Sequence, residues 1–524
     1  MTLPNVDLMD RASARDPHTS RSSVGLAIII ATAFILQIAT ATRYGYFRDE
    51  LYYLDCARHL AWGYVDQPPL IGFITWIELH LAGTSLYSLR FLPAVAGALT
   101  VWMAGRFARA LGADGMGQWL AALAVLVSSG FLMMFHLLTM NAFEPLLWTV
   151  AAYLVVRIIQ TKNEKLWLWF GVVAGIGILN KWSMLFFGTG LFLGIVLTGH
   201  RRLLLSKWIW IGFAIAMLFW LPNVIWNVQH HWPFLELMRN VRASGRDVTR
   251  GLFPFLLDQA IFMNPVTTPL WIAGAIWLLW GRGHDQAGRY RILGWIYLFL
   301  LLFFVYGKGK SYYLWPIYPM LFASGGVAIE QWTSRARLLR PIYAVILVVG
   351  GALLLPLAVP VLSPQNFIHY QDALHLSPPE VEHQRNGPLR HQLFADMFGW
   401  DEMAKETARA YSSLPANVRE KTAIAASNYG EAGAIDLFGA KYGLPVAISA
   451  HQTYWFWGPR DYTGESLLLL GTSPDDAQSE CGTADLVGHV TQPYSREDEH
   501  FNIYWCHPFK LNLQQDWPRT KHFN

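Results

Sequence analysis

The sequence predicts an α-helical polytopic membrane protein with about eleven transmembrane helices and a soluble α/β domain at its C-terminal end. Three observations lead there. Of the residues, 53% are hydrophobic and only 15% are charged, against roughly 25% charged in a soluble domain. Apolar runs recur between residues 24 and 362, close to the ~20 residues that cross a bilayer. Arginines and lysines gather in every second connection, as short cytoplasmic loops require.

The chain opens with a polar tail at 1–23, "MTLPNVDLMDRASARDPHTSRSS". The apolar run behind it is too long for a signal peptide and has no small-residue cleavage site, so a cytoplasmic tail and a retained first helix are expected. The expected spans are 24–42, 88–110, 118–138, 143–159, 166–180, 183–199, 207–227, 266–281, 291–307, 314–332 and 341–362. Orientation comes from the basic flanks. Arg11, Arg15 and Arg21 precede the first span, and Arg106 and Arg109 end the second. Arg157, Lys162 and Lys165 follow the fourth, and Arg201, Arg202 and Lys207 follow the sixth. Arg282, Arg289 and Arg291, then Arg335, Arg337 and Arg340, continue the alternation. The transmembrane domain is thus 24–362, with a long first outer loop at 43–87 and further outer segments at 139–142, 180–182, 228–265 and 308–313. Residues 363–524 form a periplasmic domain.

In that domain "TAIAASNYGEAGAIDLFGAKYGLPVAISAH" reads as strand, helix, strand; "ESLLLLG" and "NIYWC" read as two further strands. The three cysteines exclude a disulfide scaffold and a zinc-finger spacing. A Cys481–Cys506 bridge is expected if this quarter meets an oxidising compartment; two thiols are the alternative.

Candidate chemistry gathers on the outer side. Asp49 and Glu50 follow the first span, where a carboxylate at the membrane boundary must be solvated, paired or metal-bound. A functional acid and a solvated helix cap beside Arg48 are the two readings, and adjacent acids on a helix point in different directions. In "GYVDQPPLIGF", Pro68 and Pro69 enforce an extended stretch before a helix, with Asp66 as a cap or a ligand. "LTMNAFEPLLW" places Asn141 and Glu144 at the outer start of the fourth span, and "NKWS" brings Lys181 outside, against the charge bias. "YGKGKSYYLWPIYP" does the same with Lys308 and Lys310, followed by Tyr312 and Tyr313. Outer lysines among glycines suit a phosphate; belt tyrosines and snorkelling lysines are the structural alternative. His230 and His231 are adjacent and read as structural.

"FRDELYYLDCARHLAWGYVDQPPL", "LTMNAFEPLLW", "GILNKWSMLF" and "GKGKSYYLWPIYP" resemble, in order, motifs of the membrane-embedded GT-C glycosyltransferases. The chain looks like glycosyltransferase family 39 and the dolichyl-phosphate-mannose-protein mannosyltransferase-like proteins of bacteria, with the lipid A aminoarabinose transferases as relatives. The similarity covers about 24–335 and is strongest over 44–190. It implies a polyprenyl-phosphate-linked sugar donor, an envelope lipid, glycan or protein acceptor, and a place in a bacterial inner membrane. Nucleic acid has no part in it.

The resemblance puts the catalytic carboxylate on Asp49, with Glu50 beside it. It makes Asp66 a metal or active-site ligand, and gives the carrier phosphate to Lys181, Lys308, Lys310, Tyr312 and Tyr313. It allows a divalent metal, which the sequence does not require, and no nucleotide, consistent with the lack of a Gly-rich nucleotide loop. Two departures stand out. Gln67 occupies a position where relatives often carry a basic residue, and Asn141 one where many carry an aspartate, leaving Glu144 as its substitute. The rival reading is a transporter or flippase of a lipid-linked sugar, whose site belongs near the bilayer midplane.

Overall fold

The computed structural model describes residues 17–245, 248, 250–281, 286–375, 383 and 385–524. Most of the expected cytoplasmic tail, with Arg11 and Arg15, lies outside the described residues, as does Arg282. Every expected span is helical, and the corrections concern length and breaks. Six helices are long and apolar enough to cross a membrane: Ser23–Thr40, Leu86–Leu111, Met140–Thr161, Lys207–Gln229, Gly288–Tyr306 and Leu339–Leu357. Two bent pairs raise the number to eight if each is one span. Gly115–Val127 and Ser129–His136 meet at 62°, and Leu252–Phe262 and Pro265–Trp280 at 100°. Leu166–Asn180, Ser183–Leu197 and Tyr318–Trp332 have 15 residues each. That is about 22 Å of helix, short of the ~30 Å hydrocarbon core, so a count of eleven full crossings does not follow from length.

The two breaks explain each other. Chain that leaves helical geometry inside an apolar bundle frees carbonyls that need donors. The Ser128 hydroxyl donates to Met263 O at 3.0 Å, and the Asn264 amide donates to Val127 O at 3.0 Å. Each kink thus caps the other. Close helix approach uses glycine: a Cβ on Gly171 would stand 2.2 Å from Gly212 O, so helices Leu166–Asn180 and Lys207–Gln229 touch backbone to backbone. On the outside of the bundle, Ile28, Ile35, Phe213, Leu218, Val345 and Val349 are exposed. An apolar exterior on helices of spanning length marks an integral membrane protein.

The soluble domain carries a four-stranded sheet of β1 (Thr422–Ala426), β2 (Ser466–Leu470), β3 (Ala484–Val490) and β4 (Phe501–Cys506), in the order β1-β2-β4-β3. β1 and β2 are parallel, with Thr422 opposite Ser466; the other pairs are antiparallel. Three expected strands are present. The one expected after helix Tyr429–Phe438 is reduced to a single bridge, Ala425 to Ile448. β3 was not expected: "ADLVGHV" mixes Asp, Gly and His into the strand, and its register shifts between Leu486 and Gly488. A disulfide joins Cys481, just before β3, to Cys506 at the end of β4, with Cα atoms 5.4 Å apart.

Residues 43–87 and the C-terminal domain share one core. Leu51, Tyr52, Leu54 and Cys56 of helix Arg48–Arg58 pack with Trp400, Met403, Ile424, Ile435 and Ile503. Gly433 permits the contact, because a Cβ there would lie 2.9 Å from Leu51. This burial fixes the helix that carries Asp49.

Candidate active site between the bundle and the soluble domain

Helix Arg48–Arg58 begins directly after the first span, and its first turn places two carboxylates in different worlds. Glu50 is fully buried. It accepts from Arg90 at 3.0 and 2.9 Å, from Leu138 N at 3.1 Å and, reaching back one turn, from Phe47 N at 2.8 Å. Arg90 is equally enclosed and also donates to Ala41 O and Gly45 O. As it offers only donors, the His136 Nε2 it meets at 3.3 Å accepts, and Nδ1–H faces Gln37 Oε1 at 3.2 Å. Glu50 is therefore corrected from catalytic candidate to clamp. Every oxygen is occupied and it is absent from the cavity wall.

Asp49, one residue earlier, turns the other way. It lines a cavity of about 260 Å³ bounded by the bundle, the outer connections and the soluble domain. Its Oδ1 accepts the hydroxyl of Tyr429, from the N-terminal turn of helix Tyr429–Phe438, at 2.9 Å. Asn141, Lys310 and Tyr312 line the same cavity, and from the C-terminal domain come Arg390, His391 and Asp396.

Lys181 sits just behind this wall. Its Nζ donates to Asn141 Oδ1 at 2.7 Å and Glu144 Oε2 at 3.1 Å, and lies 5.4 and 5.0 Å from the Tyr312 and Tyr313 rings. Ser183 completes the shell by donating to Glu144. Seven of the expected residues, Asp49, Asn141, Glu144, Lys181, Lys310, Tyr312 and Tyr313, thus converge from four separate stretches of chain. Lys181 is neutralised by buried Glu144, so it fixes Asn141 and the tyrosines, while Lys310 lines the cavity together with Arg48 and Arg390. Lys308 is exposed on a left-handed turn (φ 53°) and does not line the cavity. Its expected phosphate role finds no support in its position.

Asp66 and Gln67 are drawn behind the site. The Tyr52 hydroxyl donates to Asp66 Oδ1 at 3.0 Å and accepts from the Thr453 hydroxyl. Asp66 does not cap helix Leu70–Ala82, whose cap is Pro69. Gln67 is buried against Cys56 Sγ at 3.7 Å, away from the cavity wall, so the expected substrate contact is withdrawn. Among the described residues no cluster of three His, Cys, Asp or Glu side chains suits a metal. With its Oδ1 already taken up by Tyr52, Asp66 lacks the companions a divalent ion needs, and no step below runs through one. His230 is structural as expected: it stacks on Trp226 at 4.1 Å, and its Nδ1 meets Trp226 O at 2.8 Å.

The sequence did not reveal Tyr429, Arg390, His391 or Asp396. The one local signal was Asn428, which caps the helix by accepting from Gly430 N and Glu431 N at 2.9 and 3.1 Å. That locates a helix start but not the partner 380 residues away.

Burial charges this junction unusually. It pushes the Asp66 carboxyl up to about 7, with the Tyr52 hydrogen bond opposing and the charge of Asp49 adding. Asp55, Glu431, Asp436 and Glu499 are also raised, each first by burial. A raised folded-state pKa means that the folded protein holds more protons than the unfolded chain between the two values. Stability from these groups is thus complete below pH ~4 and drains away as pH rises through about 7 for Asp66. The protein is expected to melt at a higher temperature at pH 5.5 than at pH 8.5, measured in one detergent at constant ionic strength. An opposite order would show that these acids are solvated.

Residues 66–226 match the family model described as dolichyl-phosphate-mannose-protein mannosyltransferase. The lipid A galacturonosyltransferase RgtD of Rhizobium johnstonii is 23% identical over 279 residues, 52% of this chain. The match spans 58% of that relative's length. ArnT from Cupriavidus metallidurans, solved bound to undecaprenyl phosphate, superposes with a TM-score of 0.61 at 15% identity, covering 92% of this chain and 98% of that one. An Archaeoglobus fulgidus oligosaccharyltransferase tethered to an acceptor peptide does so at 0.50 and 13%, over 82% of this chain and 64% of that one. The fold is that of ArnT along nearly the whole length of the chain, and that of the oligosaccharyltransferase over a shorter part.

Proposed function

We propose that the chain is a glycosyltransferase that moves a sugar from a polyprenyl-phosphate carrier to an envelope lipid, glycan or protein at the outer face of a bacterial inner membrane. The observation that carries this reading is a single cavity lined both by a carboxylate, Asp49, and by a group of opposite charge, Lys310, with Tyr312 beside them and the Lys181–Glu144 pair behind the wall. RgtD and the ArnT complex support the substrate class by their own names.

The chemistry follows from that opposition. Asp49 takes the proton of an acceptor hydroxyl as its oxygen attacks the anomeric carbon. The bond from that carbon to the phosphate oxygen breaks, and the phosphate leaves with the electron pair. Lys310 stabilises the charge that develops there. Attack opposite the leaving phosphate inverts the anomeric centre.

The test is transfer by purified protein in liposomes, with a panel of polyprenyl-phosphate sugars and envelope acceptors. Labelled acceptor and free polyprenyl phosphate should appear together. Movement of lipid between leaflets with no transfer would favour a flippase instead. The donor side is tested by Lys310→Ala. Loss of a charged hydrogen-bonding partner is worth about 1.5–3 kcal/mol, so donor KM should rise about 10- to 100-fold with a smaller change in kcat. Unchanged donor KM would remove Lys310 from phosphate binding.

A further inference from the structure

We infer that the soluble domain is part of the catalytic centre, and that Tyr429 is the positioning residue that orients Asp49 and keeps it ionised. The inference deepens the reading of Asp49 as the base and rests on it. The Tyr429 hydroxyl donates to Asp49 Oδ1 at 2.9 Å, across 380 residues of sequence.

Little freedom is left to that hydroxyl. The ring stacks on Tyr52 at 4.7 Å and on His451 at 5.2 Å, and the Arg48 guanidinium lies 5.1 Å from its centre. Its backbone N–H meets His451 Nδ1 at 3.2 Å, and Asn428 caps its helix. Tyr52, the other face of the stack, holds Asp66 through its own hydroxyl at 3.0 Å. One stacked pair of tyrosines therefore holds both carboxylates, one ring from the membrane loop and one from the soluble domain. A general base contributes only when its oxygen is aimed at the proton it removes. Asp49 stands near the start of the 43–87 loop, and the docked domain supplies that aim.

A hydrogen bond donated to a carboxylate favours its charged form. Tyr53 on its own helix and Asp66 from the loop also act on Asp49, and the charged or titratable groups Arg48, Lys310, Arg390, His391 and Asp396 line the same cavity. Replacing one hydroxyl leaves all of these in place, so the change it causes is readable.

The experiment compares kcat and donor KM against pH for wild type, Tyr429→Phe and protein carrying 3-fluorotyrosine at position 429. Tyr429→Phe keeps the stacked ring and loses the donor. Its acid limb should move up by about one pH unit, with donor KM within twofold of wild type. The fluorinated phenol is a stronger donor, so its acid limb should move down, and it keeps the whole fold should Tyr429→Phe disturb it. Both limbs unmoved would overturn the inference, as would loss of activity at all pH values in a normally melting Tyr429→Phe protein, which would make the hydroxyl catalytic in its own right. Asp49→Asn distinguishes the two levels. Full activity there refutes the base itself; an inactive Asp49→Asn beside unshifted tyrosine variants refutes only the role of Tyr429.

Discussion

Asp49→Asn is expected to transfer sugar about 10²–10⁴-fold more slowly than wild type, the usual cost of losing a general base. The substitution keeps the shape of the side chain and an acceptor for Tyr429, so the cavity and the docked domain survive it. Donor affinity should be nearly unchanged, because the substitution leaves the proposed phosphate contact, Lys310, in place. The measurement is transfer rate and donor binding on the same membrane-inserted preparation. A near wild-type rate would remove Asp49 from the mechanism. Glu50→Gln is the companion: an equal loss of rate there, with stability intact, would move the base one residue along.

Arg90→Ala should produce the largest loss of stability. The substitution leaves Glu50 with its charge buried and two of its donors gone. Removing one partner of such a pair typically costs about 3–5 kcal/mol, a large fraction of the stability of any protein. Ala41 O and Gly45 O also lose their donor, and both belong to the turn that carries the chain from the first span into the loop helix. Loss of Arg90 therefore slackens the start of the helix that presents Asp49. The expected result is a sharp fall in melting temperature and a lower yield of folded protein, with residual activity falling alongside. An Arg90→Ala protein that melts like wild type would show that water reaches Glu50 and that the clamp is dispensable.

The readable parts of the sequence were those whose physics is local. Apolar runs located the eleven expected segments but missed helix Leu252–Phe262, which fell within the expected outer segment 228–265, and the lysines that break the charge bias led to Lys181 and Lys310. The expected spans 166–180 and 183–199 already matched the short helices Leu166–Asn180 and Ser183–Leu197, but composition could not show that Ser128 and Asn264 mark interlocked breaks. In the motif residues, type was legible and direction was not. Asp49 and Glu50 look alike in sequence, yet one faces the cavity and the other a buried arginine 40 positions away. Asp66 and Gln67 turned inward for the same kind of reason, a partner on another element. Tyr429 was invisible because its meaning lies in a contact between domains, and the soluble domain carried no motif to suggest one.

The most direct test of the account is a structure of Asp49→Asn protein bound to an intact polyprenyl-phosphate sugar, which the slow variant should preserve. The account predicts the phosphate within hydrogen-bonding distance of Lys310 beside Tyr312, and the sugar in the cavity with its anomeric carbon toward residue 49. A phosphate bound elsewhere, with the cavity between Asp49 and Lys310 left empty of donor, would contradict it.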